Sequence, residues 1–398
     1  MRTRTYRTAL LSTLLLAGCT PRETMPELTD RVFAVAAAQY EQLEGRLTDE
    51  TLPRSVASDG KFIPSNIRWW CSGFYPGSLW YIYEYTGDKT FRELAEKNTF
   101  KLYPLKQKGT DHDLGFQMNC SFGNAYRITG EQKYLEPIHT SARVLAGRFS
   151  PVTGVIRSWD FVRKGRDWKY PVIIDNMMNL ELMFKATEFS GDSTYYNIAV
   201  KHADRTMKEH FRDDYSCYHV VDYDLTTGDV RGRCTAQGYA DDSAWARGQA
   251  WAVYGYTACY RYTGDKRYLD HARKVAGFML DDKNMPADLV PYWDYDAPNI
   301  PNEPRDVSTA AIIASAFYEM YTYTGDGLYK QKADRIVESL SSPAYRAPVG
   351  GNGGFLLMHS VGSIPHGSNI DVPLNYADYY FLEALIRKGR VEAGEPLF

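Results

Sequence analysis

The sequence predicts an all-α protein whose six inner and six outer helices form an (α/α)6 barrel. Two observations predict this fold: a turn signature that recurs along the chain, and a regular alternation of apolar and charged helical segments. The signature is an apolar or aromatic residue, Thr or Ser, Gly and an acid, with an aromatic residue three positions after the acid. It occurs at residues 85–88, 128–131, 189–192, 262–265 and 323–326.

Each signature has the chemistry of a helix–turn–helix hairpin. The Gly ends one helix in the left-handed conformation, the acid caps the next helix, and the aromatic residue packs back near the turn. The segments before the turns are apolar on most sides, and the segments after them are amphipathic. We therefore expect inner helices near residues 70–86, 113–129, 175–190, 245–263, 306–324 and 375–389, and outer helices near residues 27–45, 88–105, 131–149, 193–211, 265–281 and 327–341.

The alternating helices fit either a closed barrel or an open solenoid. Six repeats with inner helices that are apolar on most sides favour closure. In a closed barrel all inner helices run the same way, so their N-terminal ends meet at one mouth, and helix N-termini favour anions. The residues expected there predict a site for an acidic sugar: Trp69, Trp70, His112, Asp113, Asp175, Trp245, Arg247, Arg305, Asp306, Ser308, Tyr376 and Asp378.

Residues 1–19 have the pattern of a bacterial lipoprotein signal. A stretch with three arginines precedes a short apolar run at 9–16, and Leu16-Ala17-Gly18-Cys19 resembles a lipobox. The pattern predicts cleavage before Cys19 and a lipid on its thiol; an ordinary signal peptide with a chance cysteine is the alternative. We expect a lipid-anchored protein of the periplasm or outer membrane. Its membrane contact is through the anchor alone, because no later segment is apolar enough to span a bilayer.

The remaining sequence predicts one domain. Residues 1–18 are the signal peptide, residues 19–26 a tether, and residues 27–398 a single barrel. The net charge of -3 argues against a nucleic-acid partner, which normally needs a basic face. The other cysteines are scattered without CxxC spacing, so we expect neither a zinc site nor a disulfide framework, and no metal or cofactor. They are Cys71, Cys120, Cys217, Cys234 and Cys259.

Two aspartates are candidates for acid–base chemistry. The run from Pro171 to Ala186 reads as an apolar helix, and Asp175 shares one face of it with Asn179. A buried carboxylate must be hydrogen-bonded, charge-paired or functional. Asp113 opens the neighbouring inner helix. For each aspartate the alternative is a purely structural role as the N-cap of its helix. Together, at one mouth, they predict a carboxyl pair whose pKa values are split, with one group that holds a proton.

The segment from Gln237 to Trp251 is the third candidate. Arg247 lies among small and aromatic residues, so we expect it to meet a carboxylate, either of a substrate or of a structural aspartate. Trp245 and Trp251 either stack on a sugar ring or pack in the core. His219 stands alone beside a predicted loop, where most histidines are structural.

These motifs resemble the unsaturated glucuronyl hydrolases of glycoside hydrolase family 88. The resemblance extends from about Leu28 to Arg387. It rests on the motifs at residues 70–74, 112–116, 173–175, 218–219, 237–238, 245–251, 292–295 and 305–308.

The resemblance implies a hydrolase for the 4,5-unsaturated uronic acid that a lyase leaves at the non-reducing end of glycosaminoglycan oligosaccharides. Asp175 would protonate C4 of the C4=C5 bond and then act as base for a water that attacks C5, while Asp113 would position the substrate or stabilise charge. For that role Asp175 needs a raised pKa, which burial supplies. The implied subsite residues are Trp70, His112, Trp159, His219, Gln237, Trp245, Arg247, Trp251, Ser363 and Ser368.

Two other functions remain open on the sequence. Unsaturated rhamnogalacturonyl hydrolases, which act on pectin fragments, have the same barrel and paired acids, but they usually read RGNGW where this chain has RGQAW at residues 247–251. A non-catalytic sugar-binding lipoprotein is the second alternative. The proton donor on a buried helix argues against this second alternative, because sugar binding alone does not need such a group.

Residues 359–370 correspond to a loop that selects sulfated from unsulfated sugars in relatives. Ser363 and Ser368 could bind a sulfate, but the Lys that follows such serines in some sulfate-accepting members is missing. Arg231 and Arg233 are candidates to supply a positive charge in place of this Lys. The alternative is that they are solvated surface charges, which is the more common role of arginine. Which polysaccharide is used therefore stays open.

Overall fold

The computed structural model describes residues 24–161 and 165–398, and within these ranges it confirms the (α/α)6 barrel. The odd-numbered helices are outer and the even-numbered ones inner. They are α1 (Met25–Glu44), α2 (Phe74–Thr86), α3 (Lys89–Lys101), α4 (Asn124–Thr129), α5 (Leu135–Ala146), α6 (Leu180–Ser190), α7 (Ser193–Glu209), α8 (Ala246–Thr263), α9 (Lys266–Asp281), α10 (Val307–Thr324), α11 (Gly327–Ser341) and α12 (Asn375–Ala393).

Two inner helices begin with a segment that is not α-helical. A π-helical segment, Gly115–Gly123, runs into α4, and a 3-10 segment, Ile174–Asn179, runs into α6. Each inner helix packs on the next, and α12 packs on α2, so the ring closes. An open solenoid is thereby excluded. The signal peptide and Cys19 lie outside the described residues, and no helix within those residues is long and apolar enough to cross a membrane.

The repeated turns explain why the chain doubles back after each inner helix. The five signature glycines have φ between 64° and 73°, the left-handed region expected at a helix end. Four of the acids cap the following helix by accepting a backbone N–H two residues on, as Asp88 does from Thr90 at 2.8 Å. Glu131 was expected to do the same, but its carboxylate instead pairs with Arg92 and Lys133.

The chain also forms short antiparallel strands, which the sequence analysis did not predict, and four of them (the first, fifth, eighth and ninth) carry residues that line the mouth. They are β1 (Thr51–Val56), β2 (Phe62–Asn66), β3 (Phe149–Ser150), β4 (Val155–Ile156), β5 (Pro171–Ile173), β6 (Val220–Tyr223), β7 (Val230–Cys234), β8 (Ser360–Ser363) and β9 (Ser368–Val372). The sheets are β1–β2, β3–β4, β5–β6–β7 and β8–β9. The helix expected from Pro171 therefore begins only at Ile174, because the β-branched Val172 and Ile173 pair with β6.

A buried ionic network lies deep in the barrel, towards the C-terminal ends of the inner helices. The Arg261 guanidinium donates to both carboxylate oxygens of Glu319, at 2.7 and 2.6 Å, and also pairs with Glu181. Arg387 donates to Glu319 at 2.8 Å. All four side chains are at most 11% exposed. The five described cysteines are likewise buried, and none forms a disulfide with another.

Gly115 brings the two acid-bearing segments together. A Cβ on Gly115 would lie 2.4 Å from the Cα of Asn179, far inside van der Waals contact. The close approach lets Phe116 donate its backbone N–H to the Asn179 side chain at 2.9 Å. The starts of two neighbouring inner helices, which carry Asp113 and Asp175, are therefore fixed against each other.

We expect Gly115→Ala to destabilise the protein by about 1–3 kcal/mol, because the methyl group has no space and the backbone must shift. Urea unfolding measures the loss. Gly277→Ala is the matched control, since a Cβ there meets nothing within 4 Å on α9. That change should be neutral or slightly stabilising. Equal effects of the two substitutions would contradict the close-approach explanation.

Candidate active site

A cleft of about 350 Å³ opens at the N-terminal ends of the inner helices. Ten of the residues singled out in the sequence line it. They are Trp69, Trp70, Asp113, Trp159, Asp175, Gln237, Arg247, Ser363, Ser368 and Tyr376. The structure thus brings together side chains that are up to three hundred residues apart in the chain.

Asp175 lies in the first turn of the 3-10 segment, with its side chain 10% exposed on the cleft wall. The N-cap of this segment is Ile173, so Asp175 is not the cap of its helix. The Asp175 Oδ2 atom lies 3.6 Å from Nε2 of His219. A carboxyl group at this position can exchange a proton with a bound substrate.

His219 is held in one tautomer by its surroundings. Its Nδ1 accepts backbone N–H groups from Ala236, at 2.9 Å, and Gln237, at 3.1 Å. An acceptor nitrogen carries no proton, so the neutral ring has its proton on Nε2, which faces Asp175. His219 therefore orients the Asp175 carboxyl group from behind the cleft wall and does not line the cleft itself.

Asp113 is the second carboxyl group in the cleft. Burial raises its pKa well above the usual range, and the negative charge of Asp111 raises it further. His112 packs behind it, with Nε2 3.4 Å from the Asp113 carboxyl group. Burial lowers the pKa of His112 to about 3, so this ring is neutral. Asp113 therefore stays protonated at pH values well above the ordinary pKa of an aspartate.

The tryptophans divide into two groups. Trp69, Trp70 and Trp159 line the cleft. Trp245 and Trp251 are 2% and 0% exposed and pack in the core. Of the two roles that the sequence left open for them, the structure therefore favours core packing over stacking on a sugar ring. Trp245 supports the site from behind, because its ring lies 4.6 Å from the His219 ring and 4.5 Å from the Arg247 guanidinium.

Arg247 meets a structural aspartate. Its guanidinium donates to Asp306 at 2.9 Å, in a pair whose side chains are 2% and 0% exposed. It also donates to the Gly362 carbonyl at 2.7 Å and to Gln237 at 3.0 Å. Arg247 thus joins α8, the start of α10 and the β8–β9 hairpin, and it borders the cleft while its own charge is already paired.

The two serines of the expected sulfate loop are cross-strand partners in the β8–β9 hairpin. Ser363 is hydrogen-bonded to His366 at 2.6 Å, and Ser368 accepts from Arg54 at 3.4 Å. Arg231 and Arg233 do not line the cleft, which favours the alternative that they are surface charges. They pair with acids on the flanking surface, Arg231 with Asp222 and Asp167 and Arg233 with Glu209.

Several cleft residues were missed by the sequence analysis. The basic ones are Arg54, Arg68 and Lys108, and the others include Asp111, Phe161, His366 and Asn369. Asp111 begins the motif that contains Asp113, and His366 and Asn369 lie in the 359–370 loop, so the sequence had marked their segments without singling out these residues. Arg54 and Arg68 lie on or beside strands that the sequence did not reveal. Within the described residues, no group of three or more His, Cys, Asp or Glu side chains is placed to hold a metal.

A closed helical barrel with two carboxyl groups and aromatic rings in a cleft at one mouth defines an enzyme that acts on sugars. Residues 45–258 match the family model described as Glycosyl Hydrolase Family 88. The chain belongs to glycoside hydrolase family 88.

Relatives over the whole barrel agree with this membership. The chain is 45% identical to an unsaturated glucuronyl hydrolase of Formosa agariphila, over 88% of this chain and 90% of that protein. It is 33% identical to an unsaturated chondroitin disaccharide hydrolase of Streptococcus pneumoniae, over 85% and 86%. Its fold is similar to that of an unsaturated glucuronyl hydrolase specific for heparin, with a TM-score of 0.90 and 44% identity over 92% of this chain and 98% of that one.

Proposed function

We propose that this protein removes the 4,5-unsaturated uronic acid from the non-reducing end of glycosaminoglycan oligosaccharides by adding water across the C4=C5 bond. The observation that carries the proposal is the pair Asp113 and Asp175, one with a strongly raised pKa, at the wall of one cleft. Relatives named for unsaturated glucuronyl and chondroitin disaccharide substrates support the same substrate class.

The proposed reaction uses Asp175 twice. The Asp175 carboxyl group gives its proton to C4, and the C4=C5 electrons form the new C–H bond, which leaves oxocarbenium character at C5. A water attacks C5 and loses its proton to Asp175, which restores the starting state. The resulting hemiketal opens and releases the remaining sugar. Because the anomeric carbon is not attacked, the distance between the carboxyl groups does not predict stereochemistry as in ordinary glycosidases.

The cleft has unneutralised positive charge that suits an acidic sugar. Lys108 is paired with Asp111 and Arg247 with Asp306. Arg54 stacks over Trp69 at 4.0 Å and has no acidic partner within the described residues, and the exposed Arg68 is likewise without one there. These two arginines can attract the substrate carboxylate or a sulfate on the second sugar.

Arg54→Gln is expected to raise KM for an unsaturated disaccharide by about tenfold, the cost of one charge-assisted hydrogen bond, and to leave kcat nearly unchanged. The increase should be larger for a sulfated than for an unsulfated disaccharide and should shrink at high salt. Arg335→Gln on α11, a 50% exposed arginine outside the cleft, is the control and should leave KM unchanged. An unchanged KM in Arg54→Gln would remove this arginine from substrate binding.

The proposed reaction destroys a conjugated double bond, which makes it visible in the ultraviolet. Purified protein without its signal peptide is mixed with unsaturated chondroitin, hyaluronan and heparin disaccharides and with an unsaturated rhamnose-linked disaccharide. Loss of absorbance on the first three supports the proposal and ranks the substrates. Loss on the rhamnose-linked sugar alone would assign a pectin-fragment hydrolase, and binding without loss on any sugar would assign a sugar-binding protein.

We also propose that the protein is tethered by a lipid on Cys19 in the periplasm or at the outer membrane, where it meets the products of an upstream lyase. The lipobox-like motif supports this. Incorporation of a labelled fatty acid into the full chain, lost in Cys19→Ser, is the expected result. Equal labelling of both proteins would overturn the proposal.

A further inference from the structure

A buried ion pair lies directly beside Asp113. The Lys108 ammonium is 2.8 Å from Oδ2 of Asp111 and 2.9 Å from its Oδ1, and the two side chains are 5% and 18% exposed. Oδ1 of Asp111 also accepts the backbone N–H of Asp113 at 3.1 Å. Asp111 therefore contacts both a cation and the residue whose carboxyl group enters the cleft.

The pair is held in place by two neighbouring elements. Lys108 also donates to the Gln117 side chain at 3.2 Å, and Gln117 in turn donates to the Trp69 carbonyl and to Ser72, each at 3.0 Å. The backbone of Asp111 is bridged to Trp159. The negative charge of Asp111 therefore has a fixed position relative to Asp113, which a solvated carboxylate would not have.

The electrostatics around Asp113 follow from this geometry. Burial and the Asp111 charge raise the pKa of Asp113, and Lys108 opposes them; Asp175 adds to the increase in those states in which it is ionised. Burial alone would raise the pKa of Asp111, but the Lys108 ammonium and the Asp113 N–H, among others, lower it overall. Two nearby titratable groups are uncharged near neutral pH. His112, 3.4 Å from the Asp113 carboxyl group, has a pKa that burial lowers to about 3, and the Cys71 thiol, which also lines the cleft, has a pKa that burial raises to about 12.

We propose that Asp111, held in place by Lys108, is a positioning residue that keeps Asp113 in its protonated form, so that the cleft accepts a uronate carboxylate without repulsion from Asp113. The inference rests on the proposed function for the identity of the anion. An Asp113 that lost its proton would add a negative charge next to Asp175 and weaken binding of an anionic sugar. The Lys108–Asp111 pair thus sets the upper pH at which the enzyme binds its substrate well.

The test compares the pH profiles of kcat/KM. Asp111→Asn keeps the shape and the acceptor for the Asp113 N–H but removes the charge. It should move the alkaline limb to lower pH by about one unit or more, with the loss expressed in KM. Lys108→Gln should move the limb to higher pH, because the ammonium lowers the pKa of both acids. Asp160→Asn removes a 46% exposed carboxylate outside the cleft and should leave the limb in place.

An infrared titration separates this inference from the proposed function. The difference spectrum between the wild type and Asp113→Asn isolates the protonated-carboxyl band of Asp113 without any substrate. The band should persist at neutral pH and, in the Asp111→Asn background, disappear at lower pH. A band that titrates at the same pH in both backgrounds overturns the inference even if turnover is normal. Absence of turnover with a shifted band overturns only the proposed substrate.

Discussion

Asp175→Asn is expected to lower kcat on an unsaturated disaccharide by about 10³-fold or more while substrate binding changes little. The amide has the size and shape of the carboxyl group but cannot deliver a proton to C4 or take one from water. The proton-bearing Nε2 of His219, 3.6 Å away, cannot replace it, because that nitrogen lies behind the cleft wall. The ultraviolet trace measures turnover, and calorimetry with the inactive variant measures binding.

The control for this change is Asp160→Asn, the same substitution at an exposed site that does not line the cleft. It should retain full activity. Residual activity of Asp175→Asn within tenfold of the wild type would remove Asp175 from the proton transfers. A loss of binding equal to the loss of turnover would make it a substrate-positioning group.

Glu319→Gln is expected to cost about 3–5 kcal/mol of folding stability, since it removes one anion from a buried network that contains two guanidinium groups. Glu319 accepts from Arg261 through both oxygens and from Arg387 at 2.8 Å, and its side chain is 1% exposed. Urea unfolding gives the free energy. Because the network lies towards the far end of the inner helices, kcat/KM of the folded fraction should stay unchanged.

Glu96→Gln provides the comparison for this stability experiment. Glu96 pairs with Lys133 on the surface, with side chains 35% and 39% exposed, and its loss should change stability by less than about 0.5 kcal/mol. If Glu319→Gln cost no more than Glu96→Gln, the buried network would not stabilise the barrel. If activity of the folded fraction fell with stability, the network and the cleft would be coupled.

The helices could be predicted because the turn chemistry repeats locally. A left-handed Gly followed by an Asp cap needs only neighbouring residues, and four of the five signatures form as expected. The strands could not be predicted in the same way. The β1–β2 and β8–β9 ribbons are short, and their place at the mouth is set by contacts across the whole chain, such as Arg54 with Ser368, 314 residues apart.

The same distinction applies to the cleft. Asp113 and Asp175 follow from motifs at helix starts, and the structure places both in the lining of one cleft. The partner of Arg247 could not be chosen from the sequence, because a buried arginine satisfies its charge with any carboxylate that the fold brings near. Asp306, 59 residues later, is that carboxylate. Burial of Trp245 and Trp251 likewise depends on packing between helices that no local pattern reveals.

The five buried thiols can be used to detect local opening of the barrel. Each is shielded from solvent, so an alkylating reagent reaches it only when that part of the protein opens. They are spread over the cleft border at Cys71, the π-helical segment at Cys120, the β6–β7 region at Cys217 and Cys234, and α8 at Cys259. Site-resolved labelling rates would therefore map which sectors of the ring open first, and whether a sugar in the cleft slows Cys71 selectively.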